Sequence, residues 1–215
     1  MRGVILARLM RAWAGRIDVL GAEGAIDKLS SIRDRAGAVP LLYFHWTIDE
    51  FPRLVVAQRF PEALGPDVSY VTDDTIGGRL GRDVLNWLGY RTLAFRVSHP
   101  AYRVADLKRI LAAPGSVSIS ADGRGPYGAV HSGLPQLAIR KNAIAVPVSV
   151  VSSSAVYFGR PGPMAVPHLG AKVAISIGEP ISPESIKDGG PGVLQGALMK
   201  ARLAGLSILW AQRSS

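Results

Sequence analysis

One pattern runs the length of the chain and limits the folds open to it: short runs rich in Val, Ile and Tyr alternate with stretches of helical spacing. The short runs read as strands at Val39–Phe44, Val68–Val71, Arg91–Phe95, Ser116–Ser120, Ile144–Val150, Ala155–Phe158 and Lys172–Ile177. Helical patterns fill the spaces between them. They cover Asp49–Arg59, Thr75–Leu88 with a stop at Gly89, a segment capped by Ser98 that runs to Ala112, Ser132–Lys141, and a closing helix at Pro191–Gln212. Strands that follow helices pair in parallel through crossovers, so the expected fold is α/β, with a mixed, mostly parallel sheet flanked by helices. Its length of 215 residues, without an internal repeat, suits a single domain spanning residues 21–215.

Ahead of that domain, residues 1–20 place Arg2, Arg8, Arg11 and Arg16 among Val4, Ile5, Leu6, Leu9, Met10, Trp13 and Ile17. That is the pattern of a basic amphipathic helix, which lies either on a membrane surface or against its own domain. No run is long and apolar enough to suggest a transmembrane helix. The chain as a whole carries 25 Lys plus Arg against 16 Asp plus Glu, a net charge of +9. Such an excess suits anionic partners, either nucleic acid or phospholipid headgroups. The charge is uneven, because no acid occurs between Gly123 and Gly178 while Arg124, Arg140, Lys141, Arg160 and Lys172 all do. There is no cysteine, which excludes disulfides, thiolate metal ligands and a thiolate nucleophile. His99, His131 and His168 are scattered, and no compact metal-ligand spacing occurs, so no metal site is expected. No nucleic-acid motif accompanies the basic residues, which makes nucleic acid the weaker partner class.

Two segments have the makings of chemistry. The first is Phe44-His45-Trp46-Thr47-Ile48-Asp49-Glu50, where a histidine leaves an apolar strand and two carboxylates open a helix. His45 can act there as a general base oriented by one of the acids, or it can simply satisfy a strand-end hydrogen bond while Asp49 and Glu50 favour the helix N-terminus. The second is Ser120-Ala121-Asp122-Gly123-Arg124-Gly125-Pro126-Tyr127-Gly128. Its glycines would let backbone N–H groups approach an anion and Arg124 would add a charge-assisted contact, unless the segment is only a turn. Gly123, Gly125 and Gly128 spell a dinucleotide fingerprint, but Pro126 interrupts it and the ribose-binding acid about twenty residues on is missing.

Taken in order, these blocks resemble the lysophospholipid and glycerol-phosphate acyltransferase family, especially a poorly characterised bacterial branch with an Asp-Gly-Pro-Arg-Gly-Pro type of motif. The family's His-x4-Asp block is similar to His45–Glu50, with Glu in the last place as in the lipid A late acyltransferases. Gly89-Tyr90-Arg91-Thr92-Leu93-Ala94-Phe95-Arg96 resembles the second block, and Asp122-Gly123-Arg124-Gly125 the third, which reads Glu-Gly-Thr-Arg in most members. Ala145-Val146-Pro147-Val148 resembles the Val-Pro-Val strand, and Gly178-Glu179-Pro180-Ile181 a segment that many members carry near the C-terminus.

The resemblance implies an acyltransferase-like fold and transfer of a fatty acyl group to a hydroxyl of a lysophospholipid, glycerol phosphate or related glycolipid. The donor would be acyl-CoA or acyl-carrier protein as co-substrate, with no other cofactor. His45 would be the base and Glu50 its orienting acid, although Asp49 competes for that place. Arg96, Asp122, Gly123, Arg124 and Gly125 would hold the acceptor's phosphate. The implied setting is cytoplasmic, peripheral on the inner face of the cytoplasmic membrane, against an anionic surface. Two alternatives remain open: a noncatalytic module that binds anionic lipid or nucleic acid, and a lipid hydrolase using the same base.

Overall fold

A computed structural model describes residues 2–61, 68–74, 76–96, 100–123, 128–158 and 164–212. Among these residues, seven strands form one sheet. They are β1 (Asp18–Leu20), β2 (Leu41–His45), β3 (Val68–Asp73), β4 (Arg91–Phe95), β5 (Ser116–Ser120), β6 (Ile144–Ser152) and β9 (Lys172–Ile177), in the order β1-β9-β6-β2-β5-β3-β4. Every neighbouring pair is parallel except β6 with β9. The fold is thus the α/β architecture expected, a mixed and mostly parallel sheet with helices on both faces. Two further strands, β7 (Ala155–Phe158) and β8 (Met164–Pro167), pair only with each other as an antiparallel hairpin.

The pleat divides the core. Leu41 and Tyr43 of β2 join Val146, Val148 and Val150 of β6 against helices α1 (Arg2–Ala14), α2 (Ala22–Ala36), α3 (Glu50–Arg59) and α4 (Ile76–Trp87). Leu42 and Phe44 face the other way, with Val117 and Ala145, toward α5 (Pro100–Ala112), α6 (Gly133–Lys141) and α7 (Pro183–Ala211). Alternate side chains of one strand therefore serve opposite layers, and β2 is buried along its whole length.

Several elements differ from the sequence expectation. Residues 1–20 are not one helix: α1 ends at Ala14 and Asp18–Leu20 becomes the edge strand β1, in register with Lys172–Ala174. Met10, Trp13, Ala14 and Ile17 pack into the core, and Trp13 Nε1 donates to the Pro167 carbonyl at 3.1 Å. The closing helix begins at Pro183, not Pro191, because Ser182 caps it by accepting from the Ser185 N–H; a break at Gly190, with φ 61°, separates a short first part from the long second. Helix α2, β1 and β8 had no counterpart in the sequence reading. The expected Ser98 cap and the Thr75 start lie outside the described residues.

Candidate active site

Adjacent strands β2 and β5 are followed by helices on opposite faces of the sheet, α3 on one side and α6 on the other. In open α/β sheets a crevice forms at such a switch point, beyond the carboxyl ends of the strands, and ligands bind there. His45 closes β2 and Ser120 opposite it closes β5, with the Ala121 N–H donating to the His45 carbonyl at 2.7 Å. The two segments singled out in the sequence, 75 residues apart, therefore meet at a place in the sheet where a ligand crevice is favoured.

His45 shares its pleat face with Leu41 and Tyr43, so its ring turns toward α3. Its Nε2 lies 2.7 Å from Glu50 Oε2, and the residue is only 1% exposed. Glu50 is held from its other oxygen by Arg53, one turn further along α3, whose Nη2 donates to Oε1 at 3.2 Å. Arg53 is itself buried, donates from Nη1 to Ser118 Oγ on β5 at 2.9 Å and lies over the Tyr70 ring at 4.9 Å. Histidine, glutamate and arginine thus form one chain of contacts running from β2 along α3 and back to β5.

The electrostatics follow from that chain. Burial alone would raise the Glu50 carboxyl, but Arg53 and the His45 hydrogen bond outweigh it and hold the group at about 2. Glu50 is therefore an anion at neutral pH and an acceptor only, so the His45 proton sits on Nε2 and the Nδ1 lone pair is left free. Nδ1 is buried and has no hydrogen-bond partner among the described residues. Burial, aided by the Arg53 charge, lowers the His45 pKa against the opposing pull of Glu50 and Asp122, which keeps the imidazole neutral.

Asp49, the rival partner for His45, turns away. Its Oδ2 accepts from Ser149 Oγ at 3.0 Å and from the Val150 N–H at 3.3 Å on β6, while Oδ1 accepts from Arg202 of α7 at 2.7 Å. Burial raises its carboxyl to about 6, against the Arg202 charge and the Ser149 hydrogen bond.

The remaining expected site residues fare differently. Asp122 is buried and its Oδ1 accepts from both the backbone N–H of Thr47 (2.9 Å) and the Thr47 hydroxyl (2.6 Å), which staples the exits of β2 and β5 together. A buried carboxylate in that position does not face a phosphate. Gly123 follows in the left-handed region at φ 51°, and its carbonyl also accepts from the Thr47 hydroxyl. Arg124 and Gly125 lie outside the described residues. Arg96 directly follows β4, three strands from β2, which is about 14 Å at the usual strand spacing. Its guanidinium donates to Asp106 of α5 at 2.8 and 3.1 Å, and its own N–H binds the same carboxylate. The structure thus gathers His45, Glu50, Asp122 and Gly123 and sets Arg96 apart.

Arg53, Thr47 and Ser118 were missed from the sequence. The spacing of Glu50 and Arg53, three residues apart on one helix face, is the signal that marks the arginine. An open cavity of about 580 Å³ lies at the opposite, amino ends of β2, β3 and β5, lined in part by Arg33, Tyr43, Arg140 and Lys141. It does not adjoin His45. Among the described residues no helix is long and apolar enough to cross a membrane.

No known family model matches this chain, and no curated protein sequence does either. Its fold is similar to a crystal structure of the 1-acyl-sn-glycerophosphate (LPA) acyltransferase PlsC from Thermotoga maritima, at a TM-score of 0.50 and 15% identity. The superposition covers 97% of this chain and 81% of that one. The protein therefore has an acyltransferase-like α/β fold.

Proposed function

We propose that the protein transfers a fatty acyl group from a thioester, acyl-CoA or acyl-carrier protein, to a hydroxyl of a lysophospholipid, glycerol phosphate or related glycolipid. The observation that carries this is the 2.7 Å contact between His45 and Glu50 at the strand switch point, made on a fold like that of an acylglycerophosphate acyltransferase. The order of motifs along the chain supports the same chemistry.

In this mechanism the acceptor hydroxyl gives its proton to His45 Nδ1 as its oxygen attacks the thioester carbonyl carbon. Glu50 stabilises the imidazolium that forms, through Nε2–H. The tetrahedral oxyanion collapses, the carbon–sulfur bond breaks, and the departing thiolate takes the proton from Nδ1. Product ester and free thiol leave a neutral imidazole behind, with no covalent acyl-enzyme. Because Nδ1 is buried, the acceptor reaches it only after side chains over the strand exit give way. Arg53 acts as a positioning residue, keeping Glu50 ionised and aimed at Nε2. Gly123, Arg124 and Gly125 supply backbone N–H groups and a cation for the acceptor phosphate or the oxyanion. Such a reaction places the protein on the cytoplasmic face of a membrane, where an anionic acceptor and donor meet.

The test is an incubation of purified protein with labelled acyl-CoA or acyl-carrier protein against a panel of lysolipids and lipid sugars, with the product identified. Acylated lipid is expected, and His45→Ala should lower its formation by about 10²–10⁴-fold while the fold persists. A folded His45→Ala protein with unchanged turnover would remove the base from the mechanism. Free fatty acid as the product would make the protein a hydrolase.

A further inference from the structure

A two-stranded antiparallel sheet resting on a protein normally buries one face and shows the other to water, so exposure should alternate along each strand. Strand β8 follows that rule: Ala165 and Pro167 are buried, and the strand packs against α3 and the turn Thr47–Asp49 that precedes it. Strand β7 does not. Val156, Tyr157 and Phe158 are 42%, 61% and 54% exposed, three consecutive large apolar side chains on both faces of the strand. Register pairs them with Val166, Ala165 and Met164. The hairpin is therefore rooted beside the helix that carries Glu50 and Arg53, and it lifts an apolar edge away from the core.

Three features select what covers that edge. Tyr and Phe each bring roughly 150–250 Å² of surface, so this short strand offers a few hundred Å², well under the roughly 800 Å² that each partner gives to a specific protein–protein interface. Shallow insertion of a few aromatic side chains into the boundary between headgroups and acyl chains has no such threshold when cations assist it. Cations accompany the hairpin: Arg160 lies in the sequence between β7 and β8, and Lys172 opens β9, its backbone N–H donating to Ser153 Oγ at 3.0 Å, two residues before β7. The described part of α1, the other basic apolar element, is already engaged by the core through Met10, Trp13 and Ala14.

We propose that the β7–β8 hairpin seats the protein on an anionic lipid bilayer, with Val156, Tyr157 and Phe158 entering the headgroup–acyl boundary beside the His45 end of the sheet. The value of that seat to catalysis rests on the acyltransferase function proposed above, but the binding itself does not. A lipid acceptor and an acyl chain would then reach the strand exits from the membrane without crossing water.

The test uses the full chain with vesicles of equal parts phosphatidylglycerol and phosphatidylcholine, and with phosphatidylcholine alone, read by co-flotation. Wild type should bind the anionic vesicles, with binding weakened by salt. The double variant Tyr157→Ser/Phe158→Ser, checked for an unchanged melting temperature, should bind at least about tenfold more weakly. Met199→Ser/Leu203→Ser, which removes exposed apolar side chains from α7, should bind like wild type. Because the chain has no cysteine, Phe158→Cys takes a single environment-sensitive fluorophore, whose emission should shift to the blue on vesicle addition. The proposal is overturned if wild type ignores anionic vesicles, if the folded double variant binds as well as wild type, or if the label sees no change. It is equally overturned if sedimentation without lipid shows a dimer that the double variant abolishes, since the edge would then be a contact between copies. Turnover of a water-soluble short-chain acceptor is measured in parallel. If turnover is missing while the hairpin variant still loses its vesicle binding, the membrane seat stands and the proposed chemistry falls.

Discussion

Asp49 and Glu50 are neighbours in sequence and opposites in surroundings. Glu50 faces a buried histidine and a buried arginine and is held at about 2, whereas Asp49, with Arg202 and Ser149 as its partners, is raised to about 6. Asp49 is fully buried while the Glu50 side chain keeps 27% of its surface, and the positive partners compensate the two to different degrees. Glu50 has two nitrogen donors on two separate oxygens, one from each side. Asp49 has one cation at a single oxygen and only neutral donors at the other. Successive helical residues point about 100° apart, so a step of one position along the chain moves a carboxylate from the α3 corner to the seam between β6 and α7. An anion kept ionised suits the orientation of an imidazole, and one that is easily protonated suits a buried joint between elements.

That contrast breaks most sharply at Glu50→Gln. The amide oxygen would keep the Arg53 contact and turn the NH₂ toward His45 Nε2, so the ring proton would move to Nδ1 and the free lone pair would vanish. With the wrong tautomer held in place, kcat should fall on the order of 10³–10⁴-fold. Circular dichroism and melting should show the fold kept. A variant with near-normal kcat would mean that Glu50 does not set the tautomer.

On the other side, Asp49→Asn should leave kcat within about threefold and act on stability alone. A carboxyl raised to about 6 in the native state, against 3.8 as a model group, retains its proton in the folded protein where the unfolded chain has lost it. Between pH 4 and pH 6 the native state therefore binds more protons, and wild-type stability falls as pH rises through that window. The contribution is on the order of 2–3 kcal/mol. Stabilities of wild type and Asp49→Asn from denaturant melts should diverge by that amount across the window, and parallel curves would show that Asp49 is ionised throughout.

Arg53 sharpens the contrast from the Glu50 side. Arg53→Met should cost about tenfold in kcat/KM. It should also move the acid limb of the pH profile upward, because the guanidinium lowers the His45 pKa and its removal lets the ring hold its proton to higher pH. Arg53→Lys, which keeps the charge, should restore the position of the limb. A merely structural arginine would change the height of the profile without moving it.

How much of this was legible in the sequence depended on side-chain size and direction. Ser116–Ser120 was readable because Val117 and Ile119 alternate with serines at strand period, and Lys172–Ile177 because Val173, Ala174, Ile175 and Ile177 make a short apolar run. Helix α2 was not, since its buried stripe is Ala22, Ala25, Leu29, Ile32 and Ala36, mostly small side chains, and Gly21 at its start offers no capping oxygen. The meeting of His45 with Asp122 could be expected from two polar segments at strand exits. Which acid faces the ring came only from the resemblance, whose spacing favours Glu50 over Asp49; the residues alone left it open, because the turn Thr47–Asp49 sets that direction and its 3₁₀ geometry has no sequence mark. Arg53 escaped notice because a lone arginine on a helix normally lies in water.

Arg96 extends the comparison to a third carboxylate site and carries the smallest expected change. The resemblance to acyltransferases gives it the acceptor's phosphate, while the structure gives it Asp106, whose carboxyl is lowered to about 2 first by its Arg96 hydrogen bond. Arg109 shares that carboxylate, so Asp106 keeps a cationic partner when Arg96 is lost. Arg96→Ala should then cost about 1–3 kcal/mol of stability. The loss should be present above the ordinary Asp pKa and shrink as pH falls toward 2, where Asp106 takes up its proton in either protein. If the guanidinium is only a brace between β4 and α5, KM for every acceptor stays within about threefold of wild type. A tenfold rise in KM confined to phosphate-bearing acceptors would mean that the 38% of the Arg96 side chain left exposed beside Asp106 reaches substrate. Those two outcomes separate a cation held for the fold from one held for the ligand, the same distinction that divides Asp49 from Glu50.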